Sequence, residues 1–104
     1  MFSRSIFDKT EREFINSCKK GDMITLLKTI QFVRKNREVM DKGFTKAAKN
    51  NRIHVIKFIY ELRECNKIDY DISFSSYKFA YDYANNNGIK EIKDYLHKRM
   101  PIGF

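Results

Sequence analysis

The chain has 104 residues, of which 42% are hydrophobic and 33% charged, with one proline and four glycines. This length suits a single domain, and the composition fits an ordered, helix-rich protein better than a disordered chain. No apolar run approaches the roughly 18 residues of a membrane span, and the first residues lack the apolar core of a secretion signal. We therefore expect a protein without a membrane span, and the lone cysteines Cys18 and Cys65 indicate an intracellular setting, cytoplasmic or nuclear.

The net charge of +8 is concentrated in one region of the chain. Residues 19–57 contain eleven basic and three acidic residues, whereas the rest of the chain contains ten of each. Such a regional excess favours an anionic partner. The alternative is a solvated basic face that only keeps a small protein in solution.

The sequence carries no motif of catalytic or metal chemistry. Cys18 and Cys65 lack a second Cys or a His at metal-ligand spacing, so we expect them to be small apolar fillers between helices. There is no glycine-rich phosphate loop, and His54 and His97 occupy ordinary helix positions. We predict no enzymatic activity, no cofactor, no metal site and no small-molecule substrate.

The first predicted helix pair follows a lead-in at residues 1–9. TERE at residues 10–13 has the form of a capping box, and Gly21 should end the helix that begins there. A second helix is predicted over residues 23–33, where apolar side chains recur at helical spacing. Its expected core face consists of Met23, Leu26, Leu27, Ile30 and Val33.

The second predicted pair lies in the middle of the chain. Residues 34–42 are polar and basic, which predicts a loop in which Asp41 caps a short helix over residues 44–49. Asn50 and Asn51 tolerate left-handed turn geometry. Residues 53–62 form a helix that is apolar on nearly every side, so we expect neighbours on two of its flanks.

The third predicted pair is preceded by a partly alternating segment, in which a short hairpin at residues 68–72 is a less favoured alternative to a loop. Ser75 or Ser76 should cap the next helix, and residues 85–88 should form its turn. The last helix, over residues 89–98, has one apolar stripe and is expected to be the terminal element. The tail at residues 100–104 contains the only proline.

The three pairs align by their turns at Gly21, Asn51 and Gly88, at intervals of 30 and 37 residues. Ankyrin arrays repeat about every 33 residues, and one such helix pair needs a neighbour to bury its apolar face. The sequence therefore predicts an all-α fold of about six helices in stacked helix-turn-helix repeats, covering residues 10–34, 41–64 and 75–99. Another α-solenoid fits the same period.

The motifs that resemble the ankyrin-repeat family surround these turns. They are AAKNNRIHVIKFIYEL at residues 47–62, KEIKDYL at residues 90–96 after NNNG, and SCKKGDMITLLKTI at residues 17–30. Ser17 and Cys18 occupy the position of the family's paired alanines. The resemblance spans roughly residues 10–98 and implies an ankyrin-like α-solenoid that binds a partner on its concave side.

The resemblance also implies which residues contact that partner, namely the two before each turn residue together with the intervening loops. The candidate partner-binding residues are Lys19, Lys20, Arg34, Lys35, Arg37, Lys49, Asn50, Arg52, Asn86 and Asn87. This surface would be basic over two repeats and neutral at the third. It predicts a non-catalytic interaction module for an acidic protein segment.

Two other functions are compatible with the sequence. One is non-specific binding of a polyanion such as nucleic acid, which we favour less because Phe32 and Phe44 are expected in the core and no nucleic-acid motif is present. The other is a small structural subunit of a larger assembly, suggested by the open ends of a short array and the apolar tail.

Overall fold

A computed structural model describes residues 8–64 and 73–99 of the chain. All regular structure in these two ranges is helical, which confirms the predicted all-α class. Residues 1–7 of the predicted lead-in, the hairpin at residues 68–72, Cys65 and the tail lie outside the described residues, whereas residues 8 and 9, also predicted in the lead-in, cap and begin α1. The helices are α1 (Lys9–Lys20), α2 (Met23–Val33), α3 (Arg37–Lys49), α4 (Ile53–Glu64), α5 (Phe74–Asn86) and α6 (Lys90–Arg99).

Three turns of the same geometry join α1 to α2, α3 to α4, and α5 to α6. Each has one residue in the left-handed region, with φ of 76° at Gly21, 58° at Asn51 and 69° at Gly88. The N–H of the following residue then donates to a carbonyl five residues earlier, over 2.8–2.9 Å, which is the Schellman closure of a helix end. These donor–acceptor pairs are Asp22 to Ser17, Arg52 to Ala47, and Ile89 to Ala84. The predicted turn residues Gly21, Asn51 and Gly88 are therefore confirmed, whereas Asn85 and Asn86, predicted in the last turn, belong to α5.

Two predicted helix caps are wrong by a few residues. The capping box of α1 pairs Asp8 with Glu11, since the Asp8 carboxylate accepts from the Glu11 N–H at 2.8 Å and the Glu11 carboxylate accepts from the Asp8 N–H at 2.9 Å. Asp8 offers the same spacing as Thr10 with a better capping side chain. Ser73, rather than Ser75 or Ser76, caps α5.

The predicted loop at residues 34–42 is also wrong, because only three residues separate α2 from α3. Asn36 caps α3, its side-chain oxygen accepting from the Val39 N–H at 3.3 Å. The helix forms this early because Val39 and Met40 are fully buried, one turn before Gly43 and Phe44. Asp41 therefore lies inside α3 and does not cap it.

Helix α3 lies between α1 and α5 and runs parallel to both. Asn36 donates to the Glu11 carboxylate at 3.0 Å near the start of α1, and Gly43 meets Cys18 near its end. A Cβ on Gly43 would lie 2.8 Å from the Cys18 Sγ, so the two helices cross where α3 has no side chain. Cys18 is fully buried at this crossing, which confirms its prediction as an interhelical filler.

The contacts between α5 and α3 show that these two helices also run parallel. The Asp41 carboxylate accepts from the Ser73 N–H at 2.9 Å at the start of α5, and the Lys49 Nζ lies 6.0 Å from the Phe79 ring centroid further along. Because both contacts advance together along the two helices, α3 and α5 are parallel. The carboxylate of Asp41 thus helps fix where α5 begins.

The second helix of each pair packs on the first, and α4 also contacts α6. Ile56 and Ile59 of α4 are fully buried, and the Tyr60 hydroxyl donates to the Arg99 carbonyl at 2.9 Å. The prediction that α4 has neighbours on two flanks is therefore confirmed. Helix α2 differs from the prediction, because Leu27 is 53% exposed and Phe32 is 73% exposed.

Candidate basic groove between two helices

The predicted partner-binding residues do not form one surface. Lys19, Lys20 and Lys49 lie where α1 and α3 end. Arg34 and Lys35 lie between α2 and α3, and Arg37 is the first residue of α3, on either side of Asn36, which bonds to Glu11 near the start of α1. The two groups are therefore separated by the length of α1, about 18 Å for twelve residues. Most of the predicted loop, residues 37–42, is part of α3.

Several predicted contact residues also make hydrogen bonds within the fold. The Arg52 Nε–H donates to the Lys19 carbonyl at 3.1 Å, which joins the first two turns. The side-chain amides of Asn50 and Asn87 donate to the carbonyls of Lys46 and Tyr83, each at 2.8 Å, and so satisfy helix ends. Asn86 is exposed at the end of α5.

The strongest candidate site is an open groove of about 660 Å³ between α1 and α3, which we call the basic groove. Cationic side chains of α1 line one wall and cationic side chains of α3 the other. Of the described residues that line the groove, Glu13 is the one carboxylate and Ile15 the one aliphatic residue. The lining residues are Lys9, Arg12, Glu13, Ile15, Asn16, Lys19, Lys42 and Lys46.

The wall formed by α3 follows the helical repeat. Lys42, Lys46 and Lys49 occupy positions i, i+4 and i+7, so they lie on one face of α3. Along the helix axis, Lys46 lies about 6 Å and Lys49 about 10 Å beyond Lys42. Within the described residues, no carboxylate forms an ion pair with Lys42 or Lys46. The charge of Lys42, followed by that of Lys49, partial burial and Lys19, lowers the pKa of Lys46. These lysines therefore repel one another across a single surface.

Sequence reasoning missed Lys9, Arg12, Lys42 and Lys46 as members of this site. Lys42, Lys46 and Lys49 recur at helical spacing in the sequence. This spacing predicts a shared face only if residues 37–43 are recognised as part of a helix. The α1 residues Lys9, Arg12 and Lys19 also share a face, at i, i+3 and i+10. Of the residues predicted, only Lys19 lines the groove, while Lys49 continues its α3 wall.

A second exposed feature adjoins the α3 wall on its other side. The Phe79 side chain is 39% exposed, and its ring pairs with that of Tyr83 at a centroid distance of 5.9 Å. Lys49 lies over the Phe79 ring. Contrary to the sequence-based expectation, aromatic side chains therefore border the basic cluster, and Phe32 is exposed rather than in the core.

Other chemistry has little support among the described residues. Burial strongly raises the pKa of the Cys18 thiol, which keeps it protonated and unreactive. No three His, Cys, Asp or Glu side chains of residues 8–64 and 73–99 are grouped as metal ligands. None of the six described helices combines the length and the apolarity needed to cross a bilayer.

The chain matches no protein-family model, and the comparisons with curated proteins and with solved structures found no match. The resemblance to ankyrin repeats accordingly stays a prediction from the sequence motifs around the three turns.

Proposed function

We propose that this protein is a non-catalytic interaction module that binds an acidic protein segment in the basic groove. The main support for the proposal is that cations of α1 and α3 face each other across one groove, where Glu13 is the one carboxylate among the described lining residues. An acidic segment would pair with both walls at once. It would also relieve the repulsion that lowers the pKa of Lys46.

The arrangement of the lysines favours a recognition surface over a solubility device. A solubility device needs charges that are dispersed and interspersed with the opposite sign. On α5 and α6 the pairs Lys78–Asp82 and Lys90–Asp94 follow that rule, with N···O distances of 3.1 Å and 2.8 Å. Lys42, Lys46 and Lys49 of α3 instead share one face without a carboxylate between them.

We further propose that the three helix pairs form a short ankyrin-like array. The equal geometry of the turns at Gly21, Asn51 and Gly88 and the parallel course of α1, α3 and α5 support this proposal. In such an array the first helices of successive pairs lie side by side, and their outward faces form one continuous surface. The basic groove would then be part of that surface.

The direct test is a fluorescence anisotropy titration with a short peptide rich in Glu and Asp. The double variant Lys42→Gln/Lys46→Gln should bind at least about tenfold more weakly than the wild type. The control is Lys93→Gln/Lys98→Gln on α6, which removes the same net charge far from the groove. It should change the affinity by no more than about twofold.

Two results would contradict the proposal. Equal weakening by both double variants would mean that the peptide responds to net charge and not to the groove. Absence of saturable binding at about 50 mM salt would mean that the groove does not hold acidic segments.

A further inference from the structure

Phe79, which is 39% exposed, and the half-buried Tyr83 form an aromatic pair beside the basic groove. Phe79 is one of four large hydrophobic residues that are exposed among the described residues, and the other three lie on α2. Its ring and that of Tyr83 are inclined by 31° with centroids 5.9 Å apart, so together they form a shallow apolar platform.

The platform continues the groove across α3. Lys46 lines the groove, Lys49 lies one helical turn further on the same face, and the Lys49 Nζ is 6.0 Å from the centroid of the Phe79 ring. Parallel packed helices have axes about 8–10 Å apart. An extended chain that leaves the groove over α3 therefore reaches the platform after about three residues at 3.3 Å each.

We infer that the acidic segment carries an aromatic side chain about three residues from its carboxylates, and that this side chain packs on Phe79 and Tyr83. The inference depends on the proposed function, since it specifies the partner of the same surface. Lysines guide an acidic chain into place and give modest affinity, because they remain solvated. A buried aromatic contact supplies affinity that exposed ion pairs lack.

Lysines beside an aromatic pair are also typical of proteins that bind single-stranded nucleic acid. Those proteins stack successive bases on aromatic side chains distributed along the basic track. Here the aromatic pair adjoins one end of the α3 lysine series, and the described residues that line the groove are charged, amide or aliphatic, with no aromatic side chain among them. One aromatic anchor next to an acidic run fits this layout better than a series of stacked bases.

The test compares two labelled peptides of equal charge, each with a run of Glu and Asp residues. One has Phe and the other Ala at the third position after the run. The wild type should bind the Phe peptide about tenfold more tightly. Phe79→Ala should bind both peptides alike, whereas Phe32→Ala, which removes an exposed aromatic on α2, should keep the full preference for Phe.

The outcomes separate this inference from the proposed function. If the wild type binds both peptides equally and Lys42→Gln/Lys46→Gln weakens both, the basic groove binds acidic chains but the anchor is wrong. If neither peptide binds, the proposed function fails and the anchor fails with it. If a single-stranded oligonucleotide binds more tightly than either peptide and depends on Phe79, the ligand is nucleic acid and the inference is overturned. Even if Phe79→Ala misfolds, the affinities of the wild type for the Phe peptide and the Ala peptide still decide whether the aromatic contact exists.

Discussion

Arg52 and Lys19, 33 positions apart in the sequence, are joined by a hydrogen bond in which the Arg52 Nε–H donates to the Lys19 carbonyl at 3.1 Å. In the same place the His54 Nε2 lies 3.2 Å from the Gly21 carbonyl oxygen. The start of α4 is thereby bonded to the turn that ends α1. The first two helix pairs consequently share a polar connection at their turns as well as the packing of α1 on α3.

The first prediction concerns this connection. Arg52→Ala should lower the free energy of unfolding by about 0.5–1.5 kcal/mol, because the Lys19 carbonyl loses its partner and must be resolvated. Binding of an acidic peptide should change by less than about twofold. Urea denaturation and anisotropy titration measure the two effects separately. A variant of unchanged stability that no longer binds the peptide would instead make Arg52 a contact residue.

The second prediction compares two turn glycines. Alanine at Gly21 or Gly88 must adopt a left-handed conformation, which costs about 1–2 kcal/mol. At Gly21 the added Cβ would also lie 3.0 Å from the Arg52 Cδ and 3.1 Å from the His54 Cε1, whereas no atom lies within 4 Å of the equivalent position at Gly88. Gly21→Ala should therefore lower the melting temperature more than Gly88→Ala does. Equal effects would show that the first turn has room to relax.

The third prediction addresses the crossing of α1 and α3. In Gly43→Ala the new Cβ would lie 2.7 Å from the Phe14 Cε2 and 2.8 Å from the Cys18 Sγ, both fully buried, so the helices must separate. We expect a loss of about 1–3 kcal/mol from overpacking, which exceeds the gain of up to about 1 kcal/mol in helix propensity. Urea denaturation measures the difference. A stabilised variant would mean that α1 and α3 lie further apart.

The fourth prediction uses two adjacent leucines of α2. Leu26 is fully buried and Leu27 is 53% exposed. Leu26→Ala should cost about 2–5 kcal/mol because it removes packed atoms and leaves a cavity. Leu27→Ala should change the stability by no more than about 0.5 kcal/mol. Paired thermal and urea denaturation checks both, and similar losses would mean that a further surface covers α2.

The fifth prediction concerns repulsion within the basic groove. Lys42 is the largest cause of the lowered pKa of Lys46, so Lys42→Gln should raise that pKa and stabilise the fold at pH 7 and low salt. The protonated form of Lys46 disfavours the folded state. The stability contributed by this group therefore rises as the pH increases through its folded pKa towards the unfolded value of about 10.4.

The stability difference between Lys42→Gln and the wild type should accordingly shrink as the pH rises through the pKa of Lys46, and also as salt is added. Urea denaturation between pH 7 and pH 10 measures it, with Lys98→Gln on α6 as the control. A difference that does not depend on salt or pH would assign the effect of Lys42→Gln to helix propensity rather than to charge.

The sequence predicted local structure well where a residue type has a strong conformational preference. Gly21 and Gly88 adopt left-handed conformations at little cost, and Asn51 more readily than most other residues, so the turns were correct. The start of α3 was missed because the run of charge after Val33 outweighed two apolar residues, Val39 and Met40. Their burial depends on α1 and α5, which are distant in sequence.

Burial on α2 was predicted less well for a related reason. The periodicity places Leu26, Leu27 and Ile30 on one broad apolar arc, but it does not say how much of that arc has a neighbour. Leu27 is exposed because the packing of α2 on α1 covers a narrower face. The candidate site was likewise only partly predictable. To place Lys42 and Lys46 in a groove between α1 and α3, one must know that residues 37–43 are helical and which face of α3 the two lysines share.

The parallel course of α1, α3 and α5 brings three helix carboxyl termini to the same edge of the protein. Their macrodipoles add partial negative charge there. Lysines occupy the last turns of α1 and α3, at Lys19, Lys20, Lys46 and Lys49, whereas the last turn of α5 has no basic residue. The carboxyl termini of α1 and α3 are thus each compensated by lysines of their own last turn, whereas that of α5 has no such cation in its last turn.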